Sequence, residues 1–109
     1  MANTFKRFTS NSVGTALATV YTVPSSPSTT SVLIGGVVSN VTTGTVNVTV
    51  TATTSSTVIN LVGEDTPIPA GTALSFIDGK VVLEPGDIIK VKSSAASSLD
   101  IHLSAMEIT

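Results

Sequence analysis

The chain has 109 residues, with five Lys or Arg against seven Asp or Glu, one His, no Cys and no Trp. A mean hydropathy of +0.47 with net charge −2 excludes a disordered chain, no apolar run approaches the roughly 18 residues of a membrane span, and without Cys there is no disulfide framework or thiolate site. Lys6, Arg7, Lys80, Lys90 and Lys92 are scattered and Tyr21 is the one polar aromatic, so nucleic acid has neither a basic patch nor a stacking platform to bind.

The opening segment, 1–11, carries Phe5 and Phe8 around Lys6-Arg7. It reads either as a first strand that caps the core or as an arm docked on a neighbouring subunit, with 12–109 as the domain proper. Phe8-Thr9-Ser10-Asn11-Ser12 follows the two basic residues where a secretory leader would have an apolar region, so synthesis in a cytoplasm is expected. Thr15 to Val23 alternates, with Thr15, Leu17, Thr19, Tyr21 and Val23 on one side, and it ends at the breaker cluster Pro24-Ser25-Ser26-Pro27-Ser28. Ser31 to Asn40 is a largely apolar strand whose Gly35-Gly36 predicts a bulge or a close backbone approach. Thr42-Thr43-Gly44 turns the chain.

Thr45 to Thr53 has the clearest period of two. Val46, Val48, Val50 and Ala52 face one way, and Thr45, Asn47, Thr49, Thr51 and Thr53 the other. Thr stands where Lys or Glu would be usual, so this neutral face suits contact with another protein. After Ser55-Ser56, Thr57 to Gly63 reads as a strand, Glu64 to Gly71 as a Pro-containing loop, and Thr72 to Ile77 as a strand ending at the tight-turn pair Asp78-Gly79. Lys80 to Leu83 follows, then Glu84-Pro85-Gly86-Asp87 as a type II turn. Ile88 to Lys92 and Leu99 to Thr109 close the chain. In the last strand the apolar parity passes from Leu99, Ile101, Leu103 and Ala105 to Met106 and Ile108, which predicts a bulge or sheet change near Ala105-Met106.

About eight short strands at roughly 8–12-residue spacing, with no helical periodicity, define an all-β fold: a single-domain antiparallel β-sandwich or jelly roll. The 41 β-branched residues (18 Thr, 15 Val, 8 Ile) fit that reading.

Chemistry has little to work with. Asp100, His102 and Ser104 have the composition of a nucleophilic triad, but residues i, i+2 and i+4 of one strand are about 6.6 Å apart per step. A triad needs contacts of about 3 Å. A cupin-type metal site needs several His, and His102 is the only one. Calcium could take ligands from Glu64, Asp65, Asp78, Asp87 and Asp100, although no calcium-loop spacing occurs. The sequons at Asn40 and Asn47 are what a Thr-rich chain produces by chance. Sugar-binding sandwiches usually display planar aromatics, and here Tyr21 is the only polar aromatic, so sugar binding is weakly supported. No catalytic residue, cofactor or metal site is expected.

Residues 8–63, 56 in a row, contain no Lys, Arg, Asp, Glu or His, and the whole chain is 11% charged against roughly 25% for an ordinary domain. Exposed charge keeps proteins apart and blunts sheet edges. The 8–63 half is therefore expected to carry most subunit contacts and the charged 64–109 half to face solvent. The residues singled out for contact are Phe5, Lys6, Arg7 and Phe8 of the opening segment and Thr45, Asn47, Thr49 and Thr51 of the alternating strand.

The chain also resembles small virion structural proteins of tailed bacteriophages, notably phages of cyanobacteria. The likeness lies in Asn3-Thr4-Phe5-Lys6-Arg7, Thr19 to Pro24, Val32-Leu33-Ile34-Gly35 through Ser39-Asn40, Pro67 to Gly71, Val81 to Val91 and Ser104 to Thr109. It implies a non-enzymatic virion component made in the host cytoplasm, either a capsid decoration (cement) protein or a neck- or tail-associated one. The partners so implied are the major capsid protein or tail and neck proteins, together with further copies of the chain, as in trimeric decoration proteins. A glycan- or receptor-binding module of a tail fibre and a small β-sandwich enzyme or metal protein are the competing classes.

Overall fold

A computed structural model describes residues 3–11, 13–26, 28–54, 56–77 and 80–109. Among these there are nine strands and no helix: β1 (Asn3–Ser10), β2 (Ala18–Thr22), β3 (Thr30–Asn40), β4 (Val46–Thr54), β5 (Thr57–Ile68), β6 (Ala73–Ser75), β7 (Val81–Leu83), β8 (Ile88–Ser93) and β9 (Leu99–Ile108). One antiparallel sheet, A, has the order β1-β9-β3-β6 with β7 also on β3; the other, B, has the order β2-β8-β4-β5. The pairing is nested: β1 with β9, β2 with β8, β3 with β6 and β7, β4 with β5. A long hairpin folded over in this way is a β-sandwich of jelly-roll topology.

Nesting has a direct consequence for charge. β8 lies between β2 and β4, and β9 between β1 and β3, so the two halves of the chain interleave in both sheets. The neutral and the charged half are therefore not separate layers: every neutral strand of the first half has a neighbour from the second.

The interior is built by period two. Leu33, Val38, Val48, Val50, Leu99 and Leu103 are fully buried, each contributing about 1.5–3 kcal/mol relative to exposure. Gly36 meets the predicted close approach: a Cβ there would lie 2.7 Å from Phe76 and from Ile77. The predicted bulge is also present, as a register shift of β3 against β9 between Leu33 and Gly35. The turn after β3 is held by the buried Asn40 side chain, which donates to the carbonyls of Gly44 and Ile68 (both 2.8 Å) and accepts from the Thr42 amide. Glu84 to Asp87 turns as predicted, with Gly86 at φ 87° and Asp87 N–H donating to Glu84 O at 3.1 Å.

Three expectations differ in detail. β2 spans only Ala18–Thr22, and an irregularity between Thr19 and Tyr21 interrupts its alternation. Glu64 to Ile68 is strand, not loop: β5 makes an excursion at 63–65, where Asp65 has φ 54°, then pairs again with β4. Pro67 is tolerated because β5 is an edge strand. β9 has no bulge near Ala105-Met106; its alternation continues, and the residue that keeps the inward parity is Glu107. The Asp78-Gly79 turn, with Pro27 and Ser55 of two other breakers, lies outside the described residues.

Candidate functional site

The opening segment forms edge strand β1 of sheet A, paired with β9 from Asn3↔Ile108 to Ser10↔Ile101. Alternation turns Phe5 and Arg7 outward and Lys6 and Phe8 toward the interior. The outward set starts an apolar row that crosses the sheet. Phe5 is opposite Met106, Met106 is opposite Val32, and Val32 is opposite Val82. Cross-strand partners share a face, so four apolar side chains from four strands line up over about 14 Å at the usual strand spacing. Its ends are the most open, Phe5 at 73% and Val82 at 62% exposure. Ile34, displaced by the bulge in β3, adds a further exposed side chain, and a depression of about 390 Å³ lies between Ile34, Phe5, Arg7 and Ser104. Arg7 rims it and makes no ion pair among the described residues. An apolar patch with a polar rim is the mark of an interaction surface.

Beneath this face the inward residues of β1 form a different structure. Glu107 and Tyr21 are buried, and the Tyr21 hydroxyl donates to Glu107 Oε2 at 2.6 Å. Lys6 Nζ lies 3.2 Å from Glu107 Oε1, and Phe8 stacks on Tyr21 with ring centroids 3.9 Å apart. One side chain of sheet B is thus tied to two strands of sheet A. Burial first, then the hydrogen bond and charge of Glu107, push the phenol from 10.0 up to about 12, with the Ser31 hydroxyl acting in the opposite direction. A pKa raised on folding means that the native state holds the proton longer. Stability from this cluster is therefore complete below pH 10.0 and is lost as pH rises toward about 12. Tyr21 is the only Tyr and there is no Trp, so tyrosinate absorbance reads one group. We expect its midpoint near 12 in the folded protein and near 10 in denaturant, with Tyr21→Phe removing this alkaline loss; a native midpoint near 10 would contradict the arrangement.

The other four candidate residues lie on β4 or just before it. Thr45 is exposed and Asn47 half-buried, whereas Thr49 and Thr51 are each 3% exposed in the single chain. β4 is a central strand. The β5 excursion passes Thr49 and donates the Asp65 amide to its Oγ1 at 3.0 Å, while Lys92 and Lys90 of β8 are the cross-strand partners of Thr49 and Thr51. Thr51 Oγ1 is buried without a hydrogen-bond partner among the described residues. Thr51→Val should therefore raise unfolding stability by up to about 1 kcal/mol while Thr49→Val lowers it by about 1 kcal/mol, as read by urea denaturation.

Phe5, Lys6, Arg7 and Phe8 are thus brought together on β1, one pair outward and one inward, at a distance from Thr49 and Thr51 on the opposite sheet. Sequence reading marks Phe5 but misses Val32, Val82 and Met106, whose alignment depends on register across four strands. Asp100, His102 and Ser104 lie in line along the outer face of β9. Asp87 is buried and caps the turn, accepting from the Glu84 amide at 2.9 Å; Asp78 lies outside the described residues. No three His, Asp or Glu side chains converge among the described residues.

No protein-family model matches the chain, and no curated protein matches it. Among solved structures it is similar to a subunit of the disulfide-linked pili that form Bacillus endospore appendages, at 13% identity and TM-score 0.56, covering 99% of this chain and 87% of that one. It is also similar to a chain of infectious bursal disease virus, Gx strain, at 13% identity and TM-score 0.49, covering 98% of this chain and 37% of that one. A third is a pentameric capsid protein from metagenomic phage sequences, at 17% identity and TM-score 0.40, covering 88% and 56%. At these identities the likeness is one of fold alone. The disulfides of the pili have no counterpart here, since this chain has no Cys.

Proposed function

We propose that this chain is a non-enzymatic structural component of a bacteriophage virion, a decoration protein that bridges neighbouring subunits on the capsid surface. The observation that carries this reading is the apolar row from Phe5 to Val82 on the outer face of sheet A. A small chain that leaves such a row open, with a polar rim, is built for contact. Two further features support it: jelly rolls recur among viral capsid domains, and the strand and turn segments resemble phage virion proteins over nearly the whole chain. The sparse ionisable groups and the separation of the acidic side chains favour contact over catalysis.

The same face would serve at the neck or tail, so the test must separate the two placements. Purified virions of the encoding phage, split into heads and tails and quantified by peptide mass spectrometry, should hold this chain in the head fraction at many copies per particle. Recovery with tails would move the placement, and absence from virions would refute the reading.

A further inference from the structure

The two sheets have four edges, and they are not protected alike. β1 is long but carries Lys6 and Arg7, and Lys6 points inward to Glu107. An inward charge on an edge strand is a recognised block to pairing with another chain. β6 and β7 have three residues each, and β2 has five with an irregularity. Short or irregular edges are poor templates. β5 differs from all of these. From Thr57 to Val62 it contains no charge and no Pro, and Thr57 to Asn60 are exposed. Val58 and Ile59 are neighbours on opposite faces of the strand, yet 60% and 49% exposed. Both faces of this end of β5 are therefore uncovered, and its outer backbone edge is free among the described residues.

We infer that the Thr57–Asn60 edge of β5 is a self-association site, pairing antiparallel with the same strand of a second copy about a two-fold axis. A two-fold normal to a sheet preserves its faces, so it joins residues of equal parity. With the axis at Ile59, that side chain faces Ile59 of the second copy, and Val58 faces Asn60 on either side. The pairing brings no like charges together, since the nearest, Glu64, falls opposite residue 54, beyond the exposed segment. That neutrality is what selects a second copy as the occupant: the segment complements itself, as β1 with Lys6-Arg7 at its centre does not. The bulge at Leu61 ends the regular segment and limits the contact to one short ladder. Sheet B would become a continuous sheet of eight strands. This contact is independent of the outer face of sheet A, and it is two-fold, unlike the three-fold arrangement of a trimer.

Sedimentation of the isolated full chain tests it without any virion partner. The wild type should approach twice the 11.0 kDa chain mass as concentration rises. Ile59→Lys, which sets two Lys face to face, should stay monomeric, with an unchanged thermal melt at dilutions where the wild type is itself monomeric. Because the chain has no Cys, Ile59→Cys should form a covalent dimer on mild oxidation, at the Cα separation of about 4.5 Å of a non-hydrogen-bonded pair. Thr9→Cys on the β1 edge should not. A wild type that is monomeric at all concentrations, an Ile59→Lys protein that still dimerises, or equal cross-linking at both edges would overturn the inference. Dimerisation lost in Phe5→Asp and kept in Ile59→Lys would assign self-association to the face of sheet A.

Discussion

Glu107→Leu is expected to lower the unfolding free energy by about 2–3 kcal/mol, because it leaves the buried Tyr21 hydroxyl without its acceptor. The reason is desolvation rather than the loss of an ion pair. Lys6 is 48% exposed and rehydrates when its partner is removed, so its share is that of a surface pair, up to about 1 kcal/mol. Glu107→Gln, which keeps an acceptor for the phenol, should cost only that smaller amount. Tyr21→Phe alone removes the donor and leaves the carboxylate buried beside Lys6, again costing about 1–3 kcal/mol. The double change Glu107→Leu with Tyr21→Phe replaces both partners by apolar groups and should cost clearly less than the two single changes together. Urea denaturation of the four proteins gives the coupling directly. Additive costs would mean that the two side chains do not meet.

The second large effect concerns association. Phe5→Asp and Val82→Asp each place a carboxylate at one end of the apolar row, at positions where the single chain leaves the side chain open. Folding should be affected little, since exposed substitutions usually change stability by no more than about 0.5 kcal/mol. Incorporation into particles should fall at least tenfold, because a buried contact would then hold an unpaired charge. Thr43→Asp, at an exposed turn position outside the residues singled out for contact, is the control and should incorporate normally. Copies per particle, measured by quantitative mass spectrometry of mutant virions, read the effect.

How much of this was legible in sequence follows from the range of each signal. The alternation of Val46 to Ala52 and the Glu84 to Asp87 turn are local, and both stand where the residues place them. Gly35-Gly36 announces a bulge or a close approach, and β3 contains both. The continuation of β5 through Glu64 to Ile68 was hidden, because the excursion at 63–65 is closed by Thr49, a residue on another strand. Glu107 was hidden for the same reason. Its inward position depends on Tyr21, 86 residues away, and on Lys6, so its place in the alternation read as a parity switch. The charge gap was plain, but its spatial meaning was not. Nested pairing places Lys90 and Lys92 beside Thr51 and Thr49, and one exposed apolar row emerges on the other sheet, across strands from both ends of the chain.

On the proposed reading, the outer face of sheet A is covered in the assembled particle. Cryo-electron microscopy of the native virion, at a resolution that traces the chain, tests it most directly. Phe5, Met106, Val32 and Val82 should be buried against a neighbouring virion protein, with Lys90 and Lys92 on the opposite sheet turned to solvent. A particle in which that row faces solvent while the chain is held through its other surfaces would contradict it.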